Sequence, residues 1–180
     1  MVPPLLVEPT DLPGVLVVTA RRHPDPRGHV TEPWDADRWR AAGLPDAWTT
    51  LVESYSPAVG TLRGLHAQRG QGKVVRCAAG AMWDVVVDAR ADAPTRGRWV
   101  AIDLSAANGR QVVIPPGFLH GFVSRAPHTL TLYRTSRPYD PAEQVLARWD
   151  DPSLGIPWPI TRPLLSTRDA EAPDFATVAL

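Results

Sequence analysis

The sequence predicts an all-β domain, an antiparallel barrel or sandwich, and three observations carry that reading. Apolar runs of four to eight residues recur along the chain, rich in β-branched and aromatic residues and bounded by Gly, Pro, Asn or Asp. The runs follow one another too closely for crossover helices, which excludes a parallel βαβ sheet. Twenty prolines fall mostly between the runs, as expected for many loops joining short elements.

Taken in order, the expected strands are residues 15–19, 61–66, 73–78, 82–88, 99–104, 111–114, 119–124 and 129–135. One helix interrupts them at 35–43, where Asp35 and Asp37 give an acidic start and Gly43 a stop. The C-terminal third carries Trp149-Asp150-Asp151-Pro152, Trp158-Pro159 and Pro163, and reads as extended loops laid over the domain. Two-residue alternation puts Thr129, Thr131, Tyr133 and Thr135 on one face of their strand. That face reads first as the exposed side of a one-sided sheet. The same counting puts Lys73 with Val75 and Cys77, and Arg76 on the opposite face with Val74.

Length and charge bound the function. With 180 residues, the chain is expected to form one domain spanning 1–180. Nineteen basic and nineteen acidic residues cancel, so no global field points to nucleic acid or an anionic membrane. No apolar stretch approaches the roughly 20 residues needed to cross a bilayer. The N-terminal stretch lacks a basic segment and carries Glu8 and Asp11, so no signal peptide is expected. The lone Cys77, in an apolar run, reads as a buried small hydrophobe and fits a reducing compartment. Together these give a cytoplasmic location as the expectation.

The chemistry-bearing stretch is Arg63-Gly64-Leu65-His66-Ala67-Gln68, followed by Gly72-Lys73-Val74-Val75-Arg76. One group here can take a proton, and the cations can hold an anionic ligand or an oxyanion. Arg63 and His66 stand three apart, which an ideal strand would turn to opposite faces. A bulge at Gly64 would bring them together. His66 and His120 lack the additional spaced ligands of a metal site, so none is expected. Glycine-rich phosphate loops and a Gly-x-Ser-x-Gly elbow are absent too. Singly, each feature has a plain structural explanation. Trp149-Asp150-Asp151-Pro152 can pin a loop, and Ser166-Thr167-Arg168-Asp169 can cap a helix or form a turn.

The order of these residues adds what the types alone do not. Arg63-Gly64-Leu65-His66-x-Gln68, Lys73-x-x-Arg76-Cys77, Gly80-x-x-Trp83-Asp84-Val85-x-Val87-Asp88-x-Arg90 and Ile114-Pro115-x-Gly117-Phe118-x-His120-Gly121-Phe122 resemble the dTDP-4-dehydrorhamnose 3,5-epimerases. So do Pro94-Thr95-x-Gly97, Leu104-Ser105, Tyr133-Arg134-Thr135, Tyr139-x-Pro141 and Trp149-Asp150-Asp151-Pro152. The resemblance runs from about residue 25 to residue 169.

It implies a cupin-type jelly-roll barrel, a homodimer and a metal-free, cofactor-independent site for a nucleotide-linked 4-keto-6-deoxy sugar. It implies His66 as the base at an acidic sugar carbon, Tyr133 as the acid on the opposite face and Asp169 as the partner of His66. Lys73, with His120 nearby, would stabilise the enolate oxygen. Arg63 would contact the pyrophosphate and Tyr139 would stack on the base. Arg27 and Glu32 would reach the nucleotide, partly across a dimer. Gln68, Ser54, Glu143 and Arg168 match further binding positions, Arg168 replacing the usual lysine.

The departures fall in the binding shell. Val52-Glu53-Ser54 stands where the family usually has Gln-x-Asn, His29-Val30 replaces an aromatic pair, and Ala67 replaces a tyrosine. They point to retained chemistry on a substrate that differs from the standard rhamnose precursor. Whether C3, C5 or both are inverted stays open. So do two other readings, a sugar-nucleotide 3,4-ketoisomerase of related fold and a jelly roll that binds a sugar nucleotide without catalysis.

Overall fold

The computed structural model describes residues 5–178 and Leu180. The first four residues of the N-terminal stretch read above, and Ala179, lie outside the described residues. Thirteen strands are described. β1 (Leu6–Pro9) and β2 (Leu16–Thr19) open the chain, followed by the β3 (Arg22–Asp25) and β4 (Gly28–Thr31) hairpin. After α1 (Ala36–Ala41) come β5 (Thr50–Ser56), β6 (Leu62–Gln68), β7 (Lys73–Ala79) and β8 (Ala81–Asp88). The series continues with β9 (Trp99–Ser105), β10 (Arg110–Ile114), β11 (Phe118–Ser124), β12 (Thr129–Thr135) and β13 (Gln144–Leu146), and α2 (Thr167–Ala170) lies near the C-terminus.

Two antiparallel sheets carry the architecture. One has the order β1-β2-β10-β7-β12-β5, the other β13-β6-β11-β8-β9, and β3-β4 stands apart as a two-stranded ribbon. From β5 to β8 the chain alternates between the two large sheets, as a jelly roll does, so residues distant in sequence meet between them. The inward faces fill with Val75, Cys77, Val112 and Ile114 from one sheet and Met82, Val86, Phe118 and Phe122 from the other. Complete burial of these side chains is the main apolar contribution to stability. The expected all-β jelly roll is the observed fold.

All eight expected strands are present, with bounds that differ by at most two residues. The helix also forms: Asp35 accepts from the Arg38 N–H as N-cap, and Gly43 at φ +70° lies just past the last turn. Trp39 fixes it, being fully buried with Val18, Val74 and Val113.

Two expectations need correcting. The Thr129–Tyr133 face is not solvated: Thr129 and Thr131 are wholly buried, because β12 turns that face toward the opposite sheet. The C-terminal third is not all extended loop. It contains β13, two short 3₁₀ turns (Pro141–Glu143 and Phe175–Thr177) and α2, capped by the Ser166 hydroxyl accepting from the Asp169 N–H. Asp151 does pin this region, accepting from the Ser153 N–H and hydroxyl and from the Phe175 N–H. Among the described residues, no helix is long and apolar enough to cross a membrane.

Candidate active site

Between the sheets opens a cavity of about 250 Å³ lined by Val52, Arg63, His66, Ala67, Gln68, Gln71, Lys73, His120, Tyr133, Thr135, Tyr139 and Gln144. The backbone of β6 explains why Arg63 and His66 both reach it. His66 pairs with His120 of β11 and Arg63 with Phe122, so three steps on β6 oppose two on β11. That extra residue is the bulge expected at Gly64. Gly64 sits at φ +138°, and a Cβ there would lie 2.5 Å from the Gly121 Cα. Only glycine at both positions allows the strands to approach so closely.

His66 meets its partner at the end of the fold. Its Nε2 lies 2.5 Å from Asp169 Oδ1, across more than a hundred residues of sequence. The buried carboxylate sits on α2, which the Ser166 cap holds in register. Burial alone would raise the Asp169 pKa, but the hydrogen bond and charge of His66, with donors from Ser166 and Gly64, hold it below the usual carboxylate value. The ionised Asp169 carboxylate is the acceptor for an Nε2–H donor, an arrangement that leaves Nδ1 for other contacts.

From the opposite sheet come Lys73 on β7 and Tyr133 on β12. Burial pushes the Lys73 ammonium down to about 8, with the nearby Asp84 charge pulling the other way. Burial also holds the Tyr133 hydroxyl well above its ordinary value. The Asp84 charge adds to this, while Arg63 and the Ser54 hydroxyl offset part of it. Tyr133 is therefore a neutral O–H at physiological pH. Its ring meets the His120 ring edge-on, centroids 6.0 Å apart.

Asp84 is a charged residue beside the site that sequence reasoning did not single out. Its Oδ2 lies 2.6 Å from His120 Nε2, and its Oδ1 is buried with no hydrogen-bond partner. Burial raises its pKa, opposed by His120 and Lys73. The signal was present: an aspartate at the inward position between Met82 and Val86 of an apolar strand needs a polar reason to be there.

Arg63 is held at the cavity wall by the Tyr55 carbonyl at 3.0 Å and the Ser56 hydroxyl at 3.3 Å. Gln68 lines the cavity, but its amide binds its own chain, donating to the Pro138 carbonyl and accepting from the Asp140 N–H. It thereby fixes the loop carrying Tyr139. Tyr139 stands exposed at the rim, donating to Gln144 Oε1 at 3.0 Å, with Arg168 Nη1 3.4 Å from its hydroxyl. Ser54 is beside Tyr133 rather than on the cavity wall.

Three other expected binding residues are not brought to the cavity. Arg27 pairs with Asp25 at the tip of the β3–β4 ribbon, Glu32 pairs with Arg38, and Glu143 lies in the 3₁₀ turn after Tyr139. Gln71, Thr135 and Gln144 line the cavity without having been singled out. Cys77 is buried against the core, and burial raises its thiol pKa, which fits a packing role. Among the described residues, no three His, Cys, Asp or Glu side chains converge as metal ligands would.

Comparison with known proteins identifies the family. The family sequence model for dTDP-4-dehydrorhamnose 3,5-epimerase matches residues 9–177. The dTDP-4-dehydrorhamnose 3,5-epimerase of Salmonella typhimurium is 39% identical over 174 residues, 94% of each chain. The crystal structure of that enzyme from Bacillus anthracis, with TDP and PPi bound, superposes with a TM-score of 0.92. It is 36% identical, over 94% of this chain and 99% of the other. ChmJ, a 3'-monoepimerase from Streptomyces bikiniensis in complex with dTDP-quinovose, superposes at 0.89. It is 34% identical, over 94% and 88% of the two chains. A match of this extent, in sequence and in fold, establishes that the chain belongs to the dTDP-4-dehydrorhamnose 3,5-epimerase family.

Proposed function

We propose that the cavity epimerises a nucleotide-linked 4-keto-6-deoxy sugar through an enolate, with no redox cofactor. One observation carries the reading: His66 and Tyr133 enter the cavity from opposite sheets. A sugar ring held between them presents one face to a base and the other to an acid.

In the forward step His66 Nδ1 removes the proton from a carbon beside the ketone. The C–H electron pair moves into the new C=C bond, and the carbonyl pair moves onto the C4 oxygen. The imidazolium is stabilised by Asp169, whose low pKa keeps it ionised. The enolate oxygen is met by Lys73 and His120. Tyr133 then gives its proton to the opposite face of the carbon, and the C4 carbonyl re-forms. High burial suits Tyr133 to this, because its phenol holds the proton until an enolate is present to take it.

The nucleotide end is assigned to Arg63, for the pyrophosphate, and to Tyr139, as a base stack at the rim. Arg168 and Gln144 steady Tyr139. Val52 on the cavity wall removes a side-chain hydrogen bond that the family pattern supplies. It favours a sugar lacking, or carrying differently, the hydroxyl that would use that bond.

The active form is read as a homodimer in the cytoplasm. Arg27, at the tip of the β3–β4 ribbon, and Glu32, just past that ribbon, lie away from this chain's own cavity, which suits a contact with the cavity of a second subunit. The test of the reaction is deuterium exchange at the sugar carbons in wild type and in Tyr133→Phe. Exchange retained without inversion in the variant supports the roles given. Inversion at the wild-type rate overturns the tyrosine assignment.

A further inference from the structure

The face of the six-stranded sheet turned away from the cavity carries a cluster that epimerisation does not use. Alternation along β12 sends Tyr133 inward and Arg134 outward. The register pairs Leu132 with Arg76 and Arg134 with Val74, which sets the two arginines diagonally on that outer face. Arg22 adds a third charge beside Arg76, its own Nη atoms engaged by the Ala106 and Ala107 carbonyls.

Among the described residues, neither Arg76 nor Arg134 has a carboxylate in an ion pair or donates a hydrogen bond. Arg76 Nε is buried without a partner. Glu53 shares this face opposite Leu132 and pairs with neither. Burial lowers the pKa of both guanidinia, with the Arg22 charge adding to this at Arg76 and the Arg76 charge adding to it at Arg134. Two half-buried cations side by side are costly unless a counter-charge joins them.

Arg134 also lines a recess of about 210 Å³ with Trp34, Trp48, Thr49, Thr50 and Leu51. Its guanidinium carbon lies 5.0 Å over the Trp34 ring, which holds the side chain in place. We propose that this recess is a second binding site, taking a phosphate-type oxyanion on Arg134 and a threonine hydroxyl of its lining, with Arg76, diagonal to Arg134 on the same face and outside the lining, reaching the anion from the neighbouring strand. Two guanidinia match a dianion in charge, and their planar donor forks match its oxygens. Inorganic phosphate and a phosphate monoester share this chemistry.

The test follows the Trp34 indole N–H signal by ¹H–¹⁵N NMR while inorganic phosphate replaces chloride at constant ionic strength. A saturable shift is expected in wild type and in Arg63→Gln, which weakens anion binding in the epimerase cavity. Arg134→Met and Arg76→Met should each bind phosphate at least tenfold more weakly. Arg134→Met should also melt a few degrees higher than wild type in chloride, since it relieves the repulsion, and lose the rise that phosphate gives. This melting comparison stands if one variant's spectrum cannot be assigned. Glycerol phosphate in place of phosphate separates the sources: comparable binding supports a monoester site, and binding of phosphate alone supports an inorganic ion. The proposal is overturned by no saturable shift, by a shift that Arg134→Met leaves unchanged, or by one that tracks protein concentration instead of phosphate. The last would make the cluster a subunit contact. Arg134→Met should keep turnover, so failure here is distinct from failure of the epimerase reading.

Discussion

At the scale of single residues, environment separates groups that look alike in the sequence. Lys73 reads in the sequence as one more cation near His66, yet burial drives it toward neutrality, to about 8. A lysine whose folded value lies below its unfolded one destabilises the fold while charged. Below about pH 8 it is protonated in both states and the cost is fully present. Between that point and the ordinary lysine value, the unfolded chain holds a proton that the folded chain has released, so stability rises with pH. Lys73→Met should therefore stabilise the protein at pH 7 by on the order of 2 kcal/mol, a shift of this size scaled by about 1.36 kcal/mol per unit and reduced for water in the open cavity. Urea unfolding at pH 7 and pH 10 checks this, the gain shrinking at the higher pH, while turnover is lost at both. Wild-type turnover should itself decline as pH rises through about 8, where the ammonium opposite the enolate loses its proton.

Residue types also show where reading the sequence stops. His66 and Lys73 are conspicuous as a proton acceptor and a cation in one short stretch, whereas Tyr133 reads by its type alone as part of an exposed face and is singled out only by the resemblance to the family. Asp84 carries a signal as an aspartate within an apolar strand, but its link to the site needs the fold that brings it to His120. Gln68 reads as a binding residue by pattern, but both ends of its amide hold the 138–140 loop. Gln68→Ala should raise KM more than it lowers kcat, because it loosens Tyr139 and leaves the proton-transfer groups in place. Steady-state kinetics separates the two effects.

Among the elements, β6 is the one on which the site depends. A regular strand would send Arg63 and His66 to opposite faces, and the bulge against β11 turns both into one cavity. Gly64 and Gly121 let the bulge form, since a Cβ on Gly121 would lie 2.9 Å from the Arg63 carbonyl oxygen. Gly121→Ala should cost roughly 2–4 kcal/mol of stability. It should also lower turnover by about 100-fold through misplacement of His66, a loss larger than its unfolded fraction explains. Thermal unfolding and kcat on the same preparation make that comparison.

The strands legible in advance are those with long apolar runs and turn residues at both ends. Those that went unread have physical reasons. β5 is an edge strand whose Leu51, Val52 and Tyr55 are exposed, so burial leaves no alternating pattern on it. β3 and β4 are polar and largely exposed, and β13 is only three residues long. The bulge was legible as a possibility because glycine stood between two residues that needed one face. Its formation depends on β11, more than fifty residues away.

At the scale of the whole molecule, the jelly roll makes the chemistry possible by facing one sheet with another. His66 and Arg63 ride on one, Lys73 and Tyr133 on the other, and α2 brings Asp169 back to close the constellation. Strand spacing predicted the fold class. Neither spacing nor composition predicted which residues would meet, since those contacts span the chain. The ribbon bearing Arg27 is left apart from the cavity of its own chain, and the dimer reading gives it a use. Mixing Arg27→Ala with His66→Ala should then restore activity, because one kind of mixed-dimer site receives an intact histidine and an intact arginine. Activity no higher than the sum of the separate variants would place Arg27 outside the reaction.

The central claim is that His66 moves a proton at a sugar carbon while Asp169 holds it. Its most direct test is proton NMR of dTDP-4-keto-6-deoxyglucose in deuterated water, with wild type and with His66→Ala. The expected result is loss of the C3 or C5 proton signal, or both, with wild type alone, the number of lost signals giving the number of inversions. Equal exchange with folded His66→Ala, or none with folded wild type, would contradict the account.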